Sequence, residues 1–143
     1  MRPNQQLGMI GFGAIGREVM AALSRLGESD TLSAVLVRPG RDAPCAVHDV
    51  QALIAARPQI VLECAGHSAV KEFAAPLLRA GIDVIISSIG VLADDQIRNE
   101  LLDAERGGGR ALLPERQCGC GYRAGGIGNV SDVGATGVIA QRH

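Results

Sequence analysis

Gly11-Phe12-Gly13-Ala14-Ile15-Gly16 sets three glycines in a GxGxxG pattern between an apolar run, Leu7 to Gly11, and an amphipathic stretch, Ala14 to Leu26. In such a turn each glycine does something different. Gly11 permits a tight bend, Gly13 lets an anionic group approach the backbone, and Gly16 lets the following helix pack close to the strand. The free N–H groups of the helix start, those of Ala14 and Ile15 included, then face that anion. Strand, glycine turn and helix in register make this the fingerprint of a dinucleotide pyrophosphate site. The end of the next strand ordinarily supplies a carboxylate to the adenine ribose. Here it reads Val37-Arg38-Pro39-Gly40-Arg41, and the nearest acid is Asp42. A guanidinium pairs with a 2′-phosphate that a carboxylate repels, so Arg38 favours NADP or a relaxed choice between NADP and NAD.

Two further loops carry small and polar residues where a crevice would need them. Cys64-Ala65-Gly66-His67-Ser68 follows one apolar run and Ser87-Ser88-Ile89-Gly90 follows the next. At the carboxyl ends of parallel strands, Ala65, Gly66, His67, Ser88 and Gly90 leave room for ribose and nicotinamide and join the candidate cofactor-binding set. His67 stands before a helix start, where an imidazole is more often solvated or capping than catalytic. Glu63, a carboxylate at the end of an apolar run, needs a partner or an exposed strand end. Cys118-Gly-Cys120 has chelating spacing but no supporting pair of further ligands, so no metal site is expected. No Ser/His/Asp order, Walker lysine loop or carboxylate pair with convincing context appears, and no catalytic residue is assigned.

These loops require a frame of strands and helices. Expected strands are Leu7 to Gly11, Thr31 to Val37, Cys45 to Val47, Ile60 to Cys64, Asp83 to Ser87 and Arg110 to Leu113. Helices are expected from Ala14 to Leu26 with Ile15, Val19, Ala22, Leu23 and Leu26 on one face, from an Asp49 cap to Ala56, from a Ser68 cap to Ala80, and from Asp94 to Arg106. Near-continuous apolar strands alternating with helices imply an α/β fold with a doubly wound, mostly parallel sheet, covered on both faces, in the order 3-2-1-4-5-6. The 143 residues are 47% hydrophobic and 20% charged, which suits one globular domain. A net charge of −1 and only Phe12, Phe73 and Tyr122 as aromatics leave no footprint for nucleic acid. No apolar run reaches a membrane span and no signal sequence opens the chain, so a cytoplasmic location with reduced cysteines is expected.

Met9 to Gly16, Val61 to Val70, Val84 to Ala93 and Gly107 to Pro114 together resemble the amino-terminal half of the L-aspartate dehydrogenase family. The resemblance implies a two-domain NAD(P)-dependent oxidoreductase that deaminates L-aspartate to iminoaspartate, with residues 1–114 as its dinucleotide-binding domain. The family continues with a small-residue turn, a helix and a substrate domain bearing a catalytic histidine. Glu115-Arg-Gln-Cys118 departs from that pattern, so residues 115–143 read as an irregular or disordered tail, with a shifted reading frame as one explanation. On this reading the chain alone is inactive and meets its amino-acid substrate only in the intact enzyme. Alternatives are a homoserine-dehydrogenase-like or other amino-acid oxidoreductase fragment and a non-catalytic dinucleotide-binding module. Homo-oligomerisation through the open sixth-strand edge is a further expectation.

Overall fold

The computed structural model describes residues 5–116 and 122–126. β1 (Leu7–Ile10) leads through the glycine turn into α1 (Ala14–Arg25), and β2 (Leu32–Leu36) returns parallel to β1. β3 (Ala46–Val47) is a two-residue edge strand, followed by α2 (Val50–Ala55) and β4 (Ile60–Glu63). α3 (His67–Ala69), a π-helical turn (Val70–Ala74) and α4 (Ala75–Arg79) then lead to β5 (Asp83–Ile86). α5 (Asp95–Ala104) and β6 (Ala111–Arg116) complete the parallel series, in the order β3-β2-β1-β4-β5-β6. This is the doubly wound order expected from the sequence. The carboxyl ends of β1 and β4, where the winding reverses, open the crevice.

Local signals placed several boundaries. Asp49 caps α2 by accepting from Ala52 N at 2.8 Å, and Asp94 caps α5 by accepting from Gln96 N at 2.9 Å. Gly81, at φ +82°, lies just beyond the end of α4. Other expectations need correcting. Ser68 is not a cap: the helix starts at His67, and its N-cap is Gly66 at φ +114° with no side-chain bond. The π-helical turn runs into Pro76, which has no N–H for the carbonyl four residues before it and whose ring crowds that carbonyl. α5 stops at Ala104 and a 3₁₀ turn (Glu105–Gly107) carries the chain to Gly108. β6 runs to Arg116, and β7 (Tyr122–Gly126) pairs antiparallel on its outer edge, so part of the segment read as irregular is strand and the sixth-strand edge, expected to be open for homo-oligomerisation, is paired within the chain. Residues 117–121 and 127–143, with the Cys118–Cys120 spacing, lie outside the described residues.

The layers are unequal. On one face α2, α4 and α5 bury Leu53, Leu77, Leu78 and Leu101 against Val61, Val84, Ile86 and Leu113. On the other face α1 sets Val19 and Met20 against Met9, Leu32 and Val35. The span from Val37 to Cys45 holds no helix to stand beside α1. Among the described residues, no helix lies over the α1 side of β4, β5 and β6, where the sequence led us to expect cover on both faces. Burial alternates along these strands, and Leu62, Ile85 and Leu112 are half-exposed and join neither apolar cluster. α1 is also rotated from the expected orientation: Gly16 and Leu23 are its buried residues, whereas Ile15 is 56% exposed and Leu26 75%. Gly16 sets the rotation. A Cβ there would stand 2.9 Å from Gly11 O and 3.1 Å from Met9 Sδ, so this point of the helix is the one seated on the strand.

Candidate functional site

The Gly11 to Gly16 turn has the geometry its sequence implies. Gly11 adopts φ +88°, in the left-handed region open to glycine, and a Cβ on it would meet Ala65 Cβ at 2.9 Å. Gly11 N donates to Leu36 O at 2.9 Å, tying the bend to the end of β2. Gly13 differs from both its partners. No heavy atom lies within 4 Å of the position its Cβ would take, so the backbone there faces open space. The first N–H groups of the 12-residue α1 lack intrahelical acceptors and concentrate the positive end of the helix dipole there. An open glycine beside unpaired donors fits a pyrophosphate, and Gly13, Ala14 and Ile15 are the residues that would hold it.

Arg38 and Arg41 stand at the two ends of one turn. Arg41 N donates to Arg38 O at 3.0 Å and Gly40 sits at φ +86°, the arrangement that Pro39-Gly40 favours. Both arginines are exposed. Next to the glycine turn stands a cation outside the set expected from the sequence: Arg17 lies with its guanidinium carbon 5.9 Å from the centroid of the Phe12 ring. Its position directly after Gly16 was the available signal.

The loops after β4 and β5 are held together from inside. Glu63 is fully buried, and its Oε1 accepts from Ala65 N at 2.8 Å, Gly66 N at 2.8 Å and Ser88 Oγ at 3.1 Å, while Oε2 accepts from Ser88 N at 3.0 Å. Its main-chain carbonyl accepts from Ser87 Oγ at 2.6 Å. The open question about this carboxylate is thus answered by four donors on two loops. The loops meet again where His67 lies against Gly90; a Cβ on Gly90 would stand 3.1 Å from His67 Cε1. His67 itself is exposed. Burial, and after it the Glu63 carboxylate, pushes the Cys64 thiol up from 9.0 to about 11. The structure therefore brings Gly11 against Ala65, and Ala65 and Gly66 together with Ser88 through Glu63, whereas Arg38 belongs to the separate turn after β2.

Residues 11–115 match the family model described as the NAD-binding domain of homoserine dehydrogenase. The chain belongs to this family. The NAD-binding domain described here is also 34% identical to L-aspartate dehydrogenase 1 of Bordetella parapertussis, a match covering 96% of the chain and 50% of that protein. It is 39% identical to L-aspartate dehydrogenase 2 of Bordetella bronchiseptica over 76% of the chain and 44% of that protein. Among solved structures, aspartate dehydrogenase from Thermotoga maritima aligns with a TM-score of 0.59 at 24% identity, over 78% of this chain and 46% of the other, which establishes likeness of fold. The NAD-binding domain spans about half the length of the curated relatives it matches. NAD or NADP is the cofactor class of this family. Among the described residues, no helix is long and apolar enough to cross a membrane, and no cluster of three His, Cys, Asp or Glu residues could hold a metal.

Proposed function

We propose that this chain supplies the cofactor-binding half of a cytoplasmic, aspartate-dehydrogenase-like oxidoreductase. The observation that carries the reading is the conjunction of the open backbone at Gly13 with 34–39% identity to L-aspartate dehydrogenases. Gly13, Ala14 and Ile15 hold the pyrophosphate through backbone N–H groups, with Gly11 and Gly16 setting strand and helix at the spacing the turn needs. Arg38 holds the adenosine end and selects for a 2′-phosphate. Ala65, Gly66, His67, Ser88 and Gly90 form the floor for the nicotinamide half. When bound, the dinucleotide supplies the hydride acceptor for oxidation at an amino-acid α-carbon. The chain's part is to fix that group in place; none of its described residues is assigned as the acid or base.

Calorimetric titration of the folded chain with NAD+ and NADP+ tests the reading. One dinucleotide per chain, with NADP+ bound at least as tightly as NAD+, is the expected result, and a folded chain that binds neither overturns it. The family model's own description favours homoserine as a second substrate. In the intact enzyme, NAD(P)H formation driven by L-aspartate and not by L-homoserine separates the two.

A further inference from the structure

Glu63 is a buried charged side chain that packing alone does not account for. Enclosing a carboxylate at the end of an apolar strand costs several kcal/mol unless donors surround it. Here all four donors within bonding distance belong to the loops after β4 and β5: Ala65 N, Gly66 N, Ser88 N and Ser88 Oγ. None comes from α2, α4 or α5, the helices that cover this face. The group fits an acceptor-only carboxylate, because every partner is used as a donor. A glutamine in the same space has one oxygen and one NH₂ group, so it can still accept from Ala65 N and Gly66 N but leaves Ser88 N without an acceptor. What the carboxylate fixes is the position of one loop relative to the other, 25 residues away in sequence.

We propose that Glu63 is a positioning residue for the nicotinamide half of the dinucleotide. By holding Ala65, Gly66 and Ser88 on one carboxylate, it makes the two loops a single floor. The Gly11 to Gly16 turn holds the adenosine diphosphate half without it. This inference rests on the cofactor reading above. Glu63→Gln keeps the volume but brings an NH₂ group against N–H donors. Glu63→Asp keeps the charge and, one methylene shorter by about 1.5 Å, can still accept from the N–H groups of its own loop but not from Ser88.

The test is calorimetry on the folded wild type and both variants, titrated with NAD+ and, separately, with ADP, which carries only the half assigned to the glycine turn. Thermal unfolding is followed in parallel. NAD+ affinity should fall at least about 10- to 100-fold in both variants, the effect of one lost charge-assisted hydrogen bond, since each loses the bond from Ser88 N. ADP affinity should change less than about twofold, because its pyrophosphate is assigned to the N–H groups of Gly13, Ala14 and Ile15, and of that turn Gly11 is the residue that meets the Glu63-bound loop, at Ala65. A purely structural role lowers the unfolding temperature without separating the two ligands. Equal losses for NAD+ and ADP, no loss for either, or failure of both variants to fold overturn the inference while leaving the cofactor reading standing. A wild type that binds neither ligand overturns the cofactor reading itself.

Discussion

Replacing Gly13 with valine should separate binding from folding, because a side chain at position 13 meets no other part of the protein and obstructs only a ligand. Its φ of −86° is not in the left-handed region that favours glycine, and no heavy atom beyond its chain neighbours lies within 4 Å of the Cβ position. The cost to the fold is the loss of a glycine N-cap, about 0.5–1 kcal/mol. In a domain of this size that lowers the unfolding temperature by about 2–8 °C. The cost to binding is larger. A branched side chain over the helix start keeps a pyrophosphate from the N–H groups, and each charge-assisted bond lost is worth about 1.5–3 kcal/mol. One or two lost bonds weaken the dinucleotide from about 10-fold to about 20,000-fold. Isothermal titration with NAD+ and NADP+, alongside a thermal melt, reads both quantities. Undiminished binding by a folded Gly13→Val protein would refute the assignment of the pyrophosphate to this turn.

Three other perturbations test separate parts of the structure. Arg38→Asp should weaken NADP+ at least about 10-fold more than NAD+, since it sets a carboxylate where we propose that Arg38 meets the 2′-phosphate; equal losses in paired titrations remove Arg38 as the discriminator. Gly109→Ala should destabilise the fold by about 2–3 kcal/mol, seen as a lower denaturation midpoint. Its Cβ would stand 2.3 Å from Ile82 O and 2.8 Å from Leu78 Cα, both backbone atoms that cannot rotate away. Cys64, with its thiol pushed up to about 11, should resist iodoacetamide at pH 8 while exposed Cys45 reacts, as peptide mass mapping would report. Because the folded value lies above the ordinary 9.0, the stability tied to the Cys64 thiol is fully present below pH 9 and is lost as pH rises from 9 through 11.

The features legible in the sequence were those whose causes are local. The strand, glycine turn and helix at residues 7–26 declare themselves because the glycine spacing and the apolar runs on either side of it lie within twenty residues, although Gly11 also meets Ala65 from the loop after β4. Asp49 and Asp94 cap helices for the same reason. Strand order followed from the alternation of strands and helices together with the handedness of parallel crossovers. The bridge made by Glu63 was not legible, since Ser88 lies 25 residues on and only the adjacency of β4 and β5 brings it near. The orientation of α1 was misread because apolar spacing allowed two faces, and the contact of Gly16 with Gly11 O chose between them. The π-helical turn had a signal in Pro76, and the missing helix beside α1 had one in the short span from Val37 to Cys45. Both required treating a connection as evidence about layers.

The unequal layering means that neighbouring positions on one strand evolve under different rules. A polar residue arriving at Val61, Val84 or Ala111 enters a sealed interior and must find a hydrogen-bond partner there, as Glu63 has done. One position along, at Leu62, Ile85 or Leu112, the same replacement meets an open face and removes apolar surface that no described helix covers. The sheet can thus change its solubility, or its affinity for whatever lies against it, through one set of alternate positions. The packing that holds the crevice is left untouched by such changes, because it is written in the other set.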